Sequence, residues 1–382
     1  GNETTLSDRP NVNPVSDNPS SSTLGGGTGS VIFNSDGIIS SAVLDGFVIT
    51  GGKASAGGAI FNLTTAAGQV CSPTIRNCAF VNNSADQGGA IYNSGFGNSS
   101  PALINCLFLN NSSPGQGGAI YNNGASGNSN PTLTNCSFVA NSANGGGAIY
   151  NYGVGGNSNP VLTNCSFLNN SSTSDGGAIV NFGLAGKSSP VLTNCSFLSN
   201  SATTQGGALS NYGSGGVANP SLINCVLWNN GGAKSIAVQT ATVTASYSLF
   251  DNTVTGYTDG GNNRTTTTSP FTSTASVALN TCSPAINAGD PATTSTTVGN
   301  SDLASNPRFF NNGRIDMGAV EYQGNPNTPI AFTSTLASGS AVCVGSAVSV
   351  PVSVSGTVTG YQWYKEDNAL TGQTTSSLSL SA

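Results

Sequence analysis

The chain has no histidine, one methionine, two tryptophans, and only 9 basic residues against 15 acidic ones in 382. Without histidine, the usual proton shuttle near neutral pH is missing. A charged fraction of 6% and a net charge of −6 exclude the basic clusters that nucleic acid or an anionic membrane surface would need. No apolar run approaches the ~18 residues of a transmembrane helix, so direct membrane insertion of this segment is not expected. No stretch spaces its apolar residues at a helical period either. No signal peptide is legible at Gly1, which opens in repeat-like sequence, and the chain reads as a segment of a longer protein. Asn, Ser, Thr and 51 glycines stand where charge is missing, giving an uncharged polar surface.

What is there is repetition. The stretch Pro131 to Asn151, PTLTNCSFVANSANGGGAIYN, recurs along the chain, with Pro73, Pro101, Pro131, Pro160, Pro190 and Pro220 spaced 28 to 30 residues apart. Two residues on stand Ile75, Leu103, Leu133, Leu162, Leu192 and Leu222. Cysteines follow at Cys78, Cys106, Cys136, Cys165, Cys195 and Cys225, and two further on come Phe80, Phe108, Phe138, Phe167, Phe197 and Leu227. A GGAI or GGAL block aligns Ile60, Ile91, Ile120, Ile149, Ile179 and Leu209. A fixed period of this length marks a solenoid. Residues two apart, such as Cys136 and Phe138 or Ile149 and Asn151, follow the side-chain period of a strand. Each apolar run is short and bounded by Asn, Ser, Gly or Pro. The expected fold is all-β: a single-stranded parallel β-helix whose Leu, Cys, Phe and Ile columns fill the interior. Three strands per coil are expected, around Leu133, Cys136 to Phe138, and Gly147 to Asn151.

Nine cysteines invite a disulfide framework, but six share one interior column in which an earlier coil places Phe47. A site that accepts Phe or Cys is a core site, and stacked side chains with parallel Cβ vectors suit a disulfide poorly. Free thiols are therefore expected there, while Cys71 stands outside the column and could pair elsewhere. The asparagines form three further columns: Asn77, Asn105, Asn135, Asn164, Asn194 and Asn224; Asn83 through Asn230; and Asn62 through Asn211. Stacked amides bond to their copies above and below, so these are read as structural ladders.

Residues 1–255 are assigned to the β-helix, with irregular first coils and regular ones over about 44–230; Ser246 to Asn252 reads as a coil lacking its GGAI half. Residues 256–323 hold the last coils and a closing motif that serves as a C-terminal cap, and Thr265 to Thr274 reads as an extended surface connection. GNPNTP, 324–329, is a linker. Residues 330–382, with Cys343 on one strand and Trp363 as core tryptophan, read as the start of an immunoglobulin-like sandwich that stops short of its final strands.

Two resemblances then become specific. FxxN (Phe138 to Asn141) followed by GGAI (Gly146 to Ile149) is similar to the repeats of the polymorphic outer-membrane proteins, which are bacterial surface adhesins. LDGFVITGG, SPTIRNC and the closing SPAINAGD…NPRFFNNGRIDMGAVEY resemble the bacterial choice-of-anchor Q β-helix proteins over roughly residues 1–322. The second resemblance implies a right-handed, extracellular β-helix held at the cell surface, often exported by the type IX route. It does not imply an enzymatic activity.

Candidate sites follow from what little chemistry the sequence carries. Polysaccharide lyases and hydrolases also use this fold, so a carbohydrate-active enzyme is the alternative reading. Such chemistry needs paired carboxylates or a carboxylate-bound metal. Between Ala54 and Asn230 the only charged residues are Arg76, Asp86, Asp175 and Lys187. Asp86 and Asp175 lie three coils apart, roughly 14 Å at ~4.8 Å per coil, too far to act as a pair. No catalytic residue and no cofactor is assigned. The one dense charged cluster, Asp290, Asp302, Arg308, Arg314, Asp316 and Glu321, lies in the closing motif. Asp290, Asp302, Asp316 and Glu321 could be calcium ligands, but the two arginines compensate them, and ion pairs locking the last coil are the preferred reading. Phe61, Tyr92, Tyr121 and Tyr150 fall in one outward column and Tyr152, Phe182 and Tyr212 in the next. These rings either bind a glycan or protein partner or simply stabilise their own ladder. The resulting expectation is a bacterial cell-surface adhesin or fibre component that acts by contact, takes glycans or proteins as partners, and is compatible with a homo-oligomer or filament.

Overall fold

The structure, a computed structural model, describes residues 23–25, 29–231, 235–310, 314–324, 331–332, 348–351, 354–355, 360–365 and 368–380. It divides into two compact units, Gly1–Gln323 and Gly324–Ala382.

The first unit is a parallel β-solenoid of four sheets, with nine, ten, six and eight strands. One coil shows how each sheet arises. Thr132–Thr134 buries Leu133 in the nine-stranded leucine sheet. Ser137–Val139 buries Phe138 in the ten-stranded phenylalanine sheet. Ser142–Gly145 buries Ala143 in the six-stranded serine sheet. Ile149–Tyr152 buries Ile149 and Asn151 in the eight-stranded isoleucine sheet. In the leucine and phenylalanine sheets the coils stack in register, Leu103 on Leu133 on Leu162 and Phe108 on Phe138 on Phe167, whereas Ser112–Gln116 meets both of its neighbours through a register shift.

The serine sheet corrects the expectation of three strands per coil. Its members, among them Ser84–Gln87, Ser112–Gln116 and Ser171–Ser172, are made of residues depleted in strands and bury one small side chain each. The sequence reads them as turns because they carry almost no apolar signal. Their neighbours above and below nevertheless complete the backbone ladder.

Corners are set by asparagine. Asn77, Asn105, Asn135, Asn164, Asn194 and Asn224 turn the chain from the leucine to the phenylalanine sheet at φ of 52–55°. Asn is among the few L-residues that enter this left-handed region at low cost, so these asparagines make the bend as well as the amide contacts. The GGAI corner needs glycine for a different reason. A Cβ on Gly147 would lie 2.2 Å from the Gly177 carbonyl oxygen of the next coil.

The interior is filled by ladders. Phe108, Phe138 and Phe167 are fully buried and stack at 4.7 and 4.8 Å. The column cysteines are free and buried, each thiol donating to main-chain carbonyls, as Cys136 does to Thr134 (3.4 Å) and Leu103 (3.5 Å). Cys71 is likewise free and buried, and Cys282 is free and exposed; Cys343 lies outside the described residues. Two buried amide ladders run alongside: Asn111 to Asn141 to Asn170 at 2.9–3.0 Å, and Asn93 to Asn122 to Asn151 at 2.8–2.9 Å.

Past Asn230, Ile236–Gln239 takes the GGAI place of the coil begun by Ser221–Ile223 and is the last strand of the isoleucine sheet. The following coil, with Thr244–Ser246 and Leu249–Asp251, has no described isoleucine strand, in line with the reading of Ser246 to Asn252. Thr258–Asp259 and Arg264–Thr266 end the stack. The Thr/Ser-rich stretch expected as a surface connection is partly strand. Thr265 and Thr266 pair with the last coil, and Phe271–Ser273 forms an antiparallel hairpin with Ser276–Leu279.

From this hairpin onward the chain turns back along the flank. Phe271, Val277, Leu279, Leu303 and Met317 pack with Leu107, Leu198, Val226 and Leu249 in a second apolar core. Those four residues neighbour the inward Phe and Leu positions on the phenylalanine sheet and so lie on its outer face. The closing motif is therefore a clasp over the sides of several coils, which corrects its expected place over the solenoid's end.

In the second unit three short antiparallel pairs are described: Ala331–Phe332 with Val354–Ser355, Val348–Pro351 with Ser377–Leu380, and Tyr364–Lys365 with Asn368–Ala369. Trp363 is half-buried, and its indole N–H donates to the Thr375 carbonyl at 3.0 Å. All of the expected linker except Gly324 lies outside the described residues.

Candidate functional site

Two groups of residues singled out in the sequence can be placed: the charged cluster and the aromatic columns. The cluster is the centre of the clasp. Arg308 is fully buried; its Nη1 donates to Gly318 O (3.1 Å) and Glu321 Oε2 (3.4 Å), and its Nη2 to Ala319 O and Asn164 Oδ1, both at 2.8 Å. The last contact reaches a coil corner 144 residues away. Asn164 Nδ2 answers by donating to Val298 O and Ser301 O, while Asn194 Nδ2 donates to Asp316 O. The corner-asparagine ladder, intact from Asn77 through Asn105 and Asn135 to Asn164, is interrupted by the clasp between Asn164 and Asn194 and resumes where Asn224 Nδ2 donates to Asn194 Oδ1 at 3.2 Å.

The carboxylates are occupied by main-chain donors. Asp316 accepts from Asn287 N and Tyr322 N, both at 2.6 Å; Asp302 from Asn306 N and Glu321 N; and Glu321 from Asp316 N at 3.0 Å. Burial, reinforced by the Asp316 charge and opposed by Arg308, pushes the Glu321 carboxyl up to about 8. Burial also pushes Asp316 up to about 6, against hydrogen bonds from the Asn287 and Tyr322 amides. Asp290 stands apart from this group: its main-chain N donates to Asn224 Oδ1 and its carboxylate caps Ala292 N. Arg314 bonds the Gly289 carbonyl and lies over the Tyr247 ring at 5.2 Å. The four acids named as calcium ligands thus do not converge, and among the described residues no cluster of His, Cys, Asp or Glu is arranged to hold a metal. At its centre one buried cation bonds Glu321, two carbonyls and Asn164, while Asp302 and Asp316 are held by main-chain N–H groups.

The rings make an unbroken row down the isoleucine sheet. Phe33, Phe61, Tyr92, Tyr121 and Tyr150 follow one another at 5.1–5.4 Å. At the next coils this column holds Val180 and Ser210, and the row steps sideways. Tyr152 touches both Tyr121 (6.2 Å) and Tyr150 (6.4 Å), then continues to Phe182 (5.8 Å) and Tyr212 (5.7 Å). Exposure along the row is unequal. Tyr92 and Tyr121 are only 8% and 5% exposed, which corrects the expectation of one uniformly open stripe. Each is flanked by rings on both sides, and the Tyr92 hydroxyl is bonded by Asn123 Nδ2 at 2.9 Å. Burial and the neighbouring phenols raise the Tyr121 pKa. Phe61, Tyr150, Tyr152, Phe182 and Tyr212 are half-buried and present ring area to solvent. The alternation of the strand places these residues on the outer face; that ring stacking would close two of them off depends on spacing across coils, which local pattern does not show.

A family model, the Chlamydia polymorphic membrane protein repeat, matches residues 77–94, 105–123, 164–181 and 194–212. Each match runs from a corner asparagine through the phenylalanine and serine strands into the GGAI strand. The solenoid is therefore a parallel β-helix with repeats similar to those of polymorphic membrane proteins, and the match points to a bacterial surface or outer-membrane-associated protein. No curated protein and no solved structure matches the chain.

Proposed function

We propose that the chain belongs to an exported bacterial cell-surface protein that works by contact, as an adhesin or as a structural part of an extracellular fibre or surface layer. The observation that carries this reading is the polymorphic-membrane-protein repeat on four coils. Two features of the sequence support it. The coils present a long, nearly uncharged polar surface, and the closing SPAINAGD…DMGAVEY motif resembles that of anchored, type IX-exported β-helix proteins. The short antiparallel pairs around Tyr361-Gln-Trp-Tyr-Lys365 support reading residues 330–382 as the start of an immunoglobulin-like module. Its partners on this reading are surface glycans or proteins, with self-association into a filament as a further mode.

The test has two arms. Antibodies raised against residues 44–230 should label intact cells of the producing bacterium, and beads coated with the protein should attach to cells or matrix more than blank beads do. Labelling that requires lysis would remove the surface assignment. Release of reducing sugar from any polysaccharide incubated with the protein would replace contact with turnover.

A further inference from the structure

The aromatic row is not equivalent along its length, and its sideways step leads onto one of the two coils between Ala54 and Asn230 that carry charge. Of the four charged residues between Ala54 and Asn230, Asp175 and Lys187 belong to the same coil, on either side of Phe182 in sequence. Asp175 occupies the serine-sheet corner where other coils carry Gln87, Gln116, Gly145 and Gln205. Lys187 occupies a loop position held by Asn128 and Asn157 in preceding coils and is exposed. Phe182 lies between them in sequence, and its half-buried ring is in contact with those of Tyr152 and Tyr212.

The polar groups beside these rings are incompletely satisfied. Asp175 Oδ2 accepts from Ser174 Oγ at 3.3 Å, while Oδ1 is enclosed and has no hydrogen-bond partner among the described residues. A carboxylate oxygen in that state costs free energy until a donor reaches it. Gln205 Nε2 donates to the Tyr212 hydroxyl at 3.1 Å, which holds that ring across Ser210, where no larger side chain fills the first column. Burial raises the Tyr212 phenol's pKa; Ser210 and Gln205 oppose the rise, and the Asp175 side chain adds to it both as a hydrogen-bonding neighbour and as a charge, which puts the phenol tip against the Asp175 carboxylate.

Resting on the contact reading above, we propose that Tyr152, Phe182 and Tyr212, with Asp175, Gln205 and Lys187, form a subsite for a neutral polysaccharide strand lying along the solenoid axis. A pyranose ring offers an apolar C–H face to the aromatic platform and a rim of hydroxyls. Those hydroxyls donate to the Asp175 carboxylate, displacing the tip of Tyr212, and accept from Lys187 and Gln205. A few polar groups placed around an aromatic floor are what fixes such a ligand. The coil's acid and base balance each other, which favours an uncharged chain over an anionic one.

Calorimetric titration of the whole protein with laminarin, mannan and cellohexaose, and with alginate as the anionic comparison, tests this. At least one neutral glycan should bind, with affinity little changed by salt and exceeding that for alginate. Phe182→Ala should weaken it at least tenfold, and so should Phe182→Leu, which keeps apolar volume without a flat face. Asp175→Asn should weaken it several-fold, and Tyr121→Phe should leave it unchanged. Binding that survives Phe182→Leu and Asp175→Asn would move the site elsewhere, leaving at Asp175 a trapped water only. Stronger binding of alginate would overturn the neutral-ligand assignment. No glycan binding by protein whose beads still attach to cells would overturn the subsite and spare the contact reading; loss of bead attachment as well would overturn both.

Discussion

At the scale of single residues, the interior columns behave as core positions and their chemistry follows from burial. Phe138 is sealed between Phe108 and Phe167, so Phe138→Ala should cost about 3–5 kcal/mol, read as a lower melting temperature. The column thiols should be equally unreactive. Burial pushes Cys78 up to about 12 and holds Cys106, Cys136, Cys165 and Cys195 well above the usual thiol range, and only the thiolate is nucleophilic. Intact-mass alkylation should therefore label Cys282 in the native protein and the six column cysteines only after denaturation. Labelling of the column in native protein would contradict their burial. These positions were legible in the sequence because Phe47 and the cysteines share a column, a substitution that only packing explains. The left-handed role of Asn135 and its copies was not, because an amide that bends the chain and an amide that stacks look alike in one dimension.

At the scale of elements, legibility tracks apolar content. The leucine, phenylalanine and isoleucine strands announce themselves by Leu133, Phe138 and Ile149. Ser142–Gly145 does not, since its only buried side chain is Ala143 and its stability comes from ladder bonds to other coils. The clasp was legible as a charged cluster but not as a flank contact, because Arg308 and Asn164 are 144 residues apart and nothing local joins them. It carries its own pH signature. Glu321 and Asp316 titrate higher in the folded protein than in the unfolded chain, so folding binds protons. The stability they contribute is fully present below the ordinary carboxylate range and is lost as pH rises through about 6 and then about 8. A thermal melt repeated from about pH 5 to about pH 9 should show the melting temperature falling, and Glu321→Gln should flatten that fall. A rise with pH in the parent protein would mean that Arg308 compensates the acids more fully than their burial disfavours them.

At the scale of the whole molecule, each coil touches chiefly its two neighbours, and only the clasp reaches across several of them. Deleting residues 269–323 should leave the coils' circular dichroism largely intact, because solenoid stability is a sum of local terms. It should also uncover Leu107, Leu198, Val226 and Leu249, so the shortened protein should bind a hydrophobic dye and associate, as sedimentation would report. A monomeric, dye-negative truncation would show that the flank core is dispensable.

The same connection matters when the molecule is under load. A stack of coils pulled along its length offers resistance one rung at a time, since each rung is held only by the next. Where Arg308 grips Asn164 and the clasp spans Asn194 and Asn224, the rungs are stitched to a common strap. Peeling from the C-terminal side must first tear out a buried arginine and its carbonyls together, so the strap turns serial yielding into a single, higher threshold. If the protein holds one surface against another, as proposed, this strap sets the force at which the attachment fails.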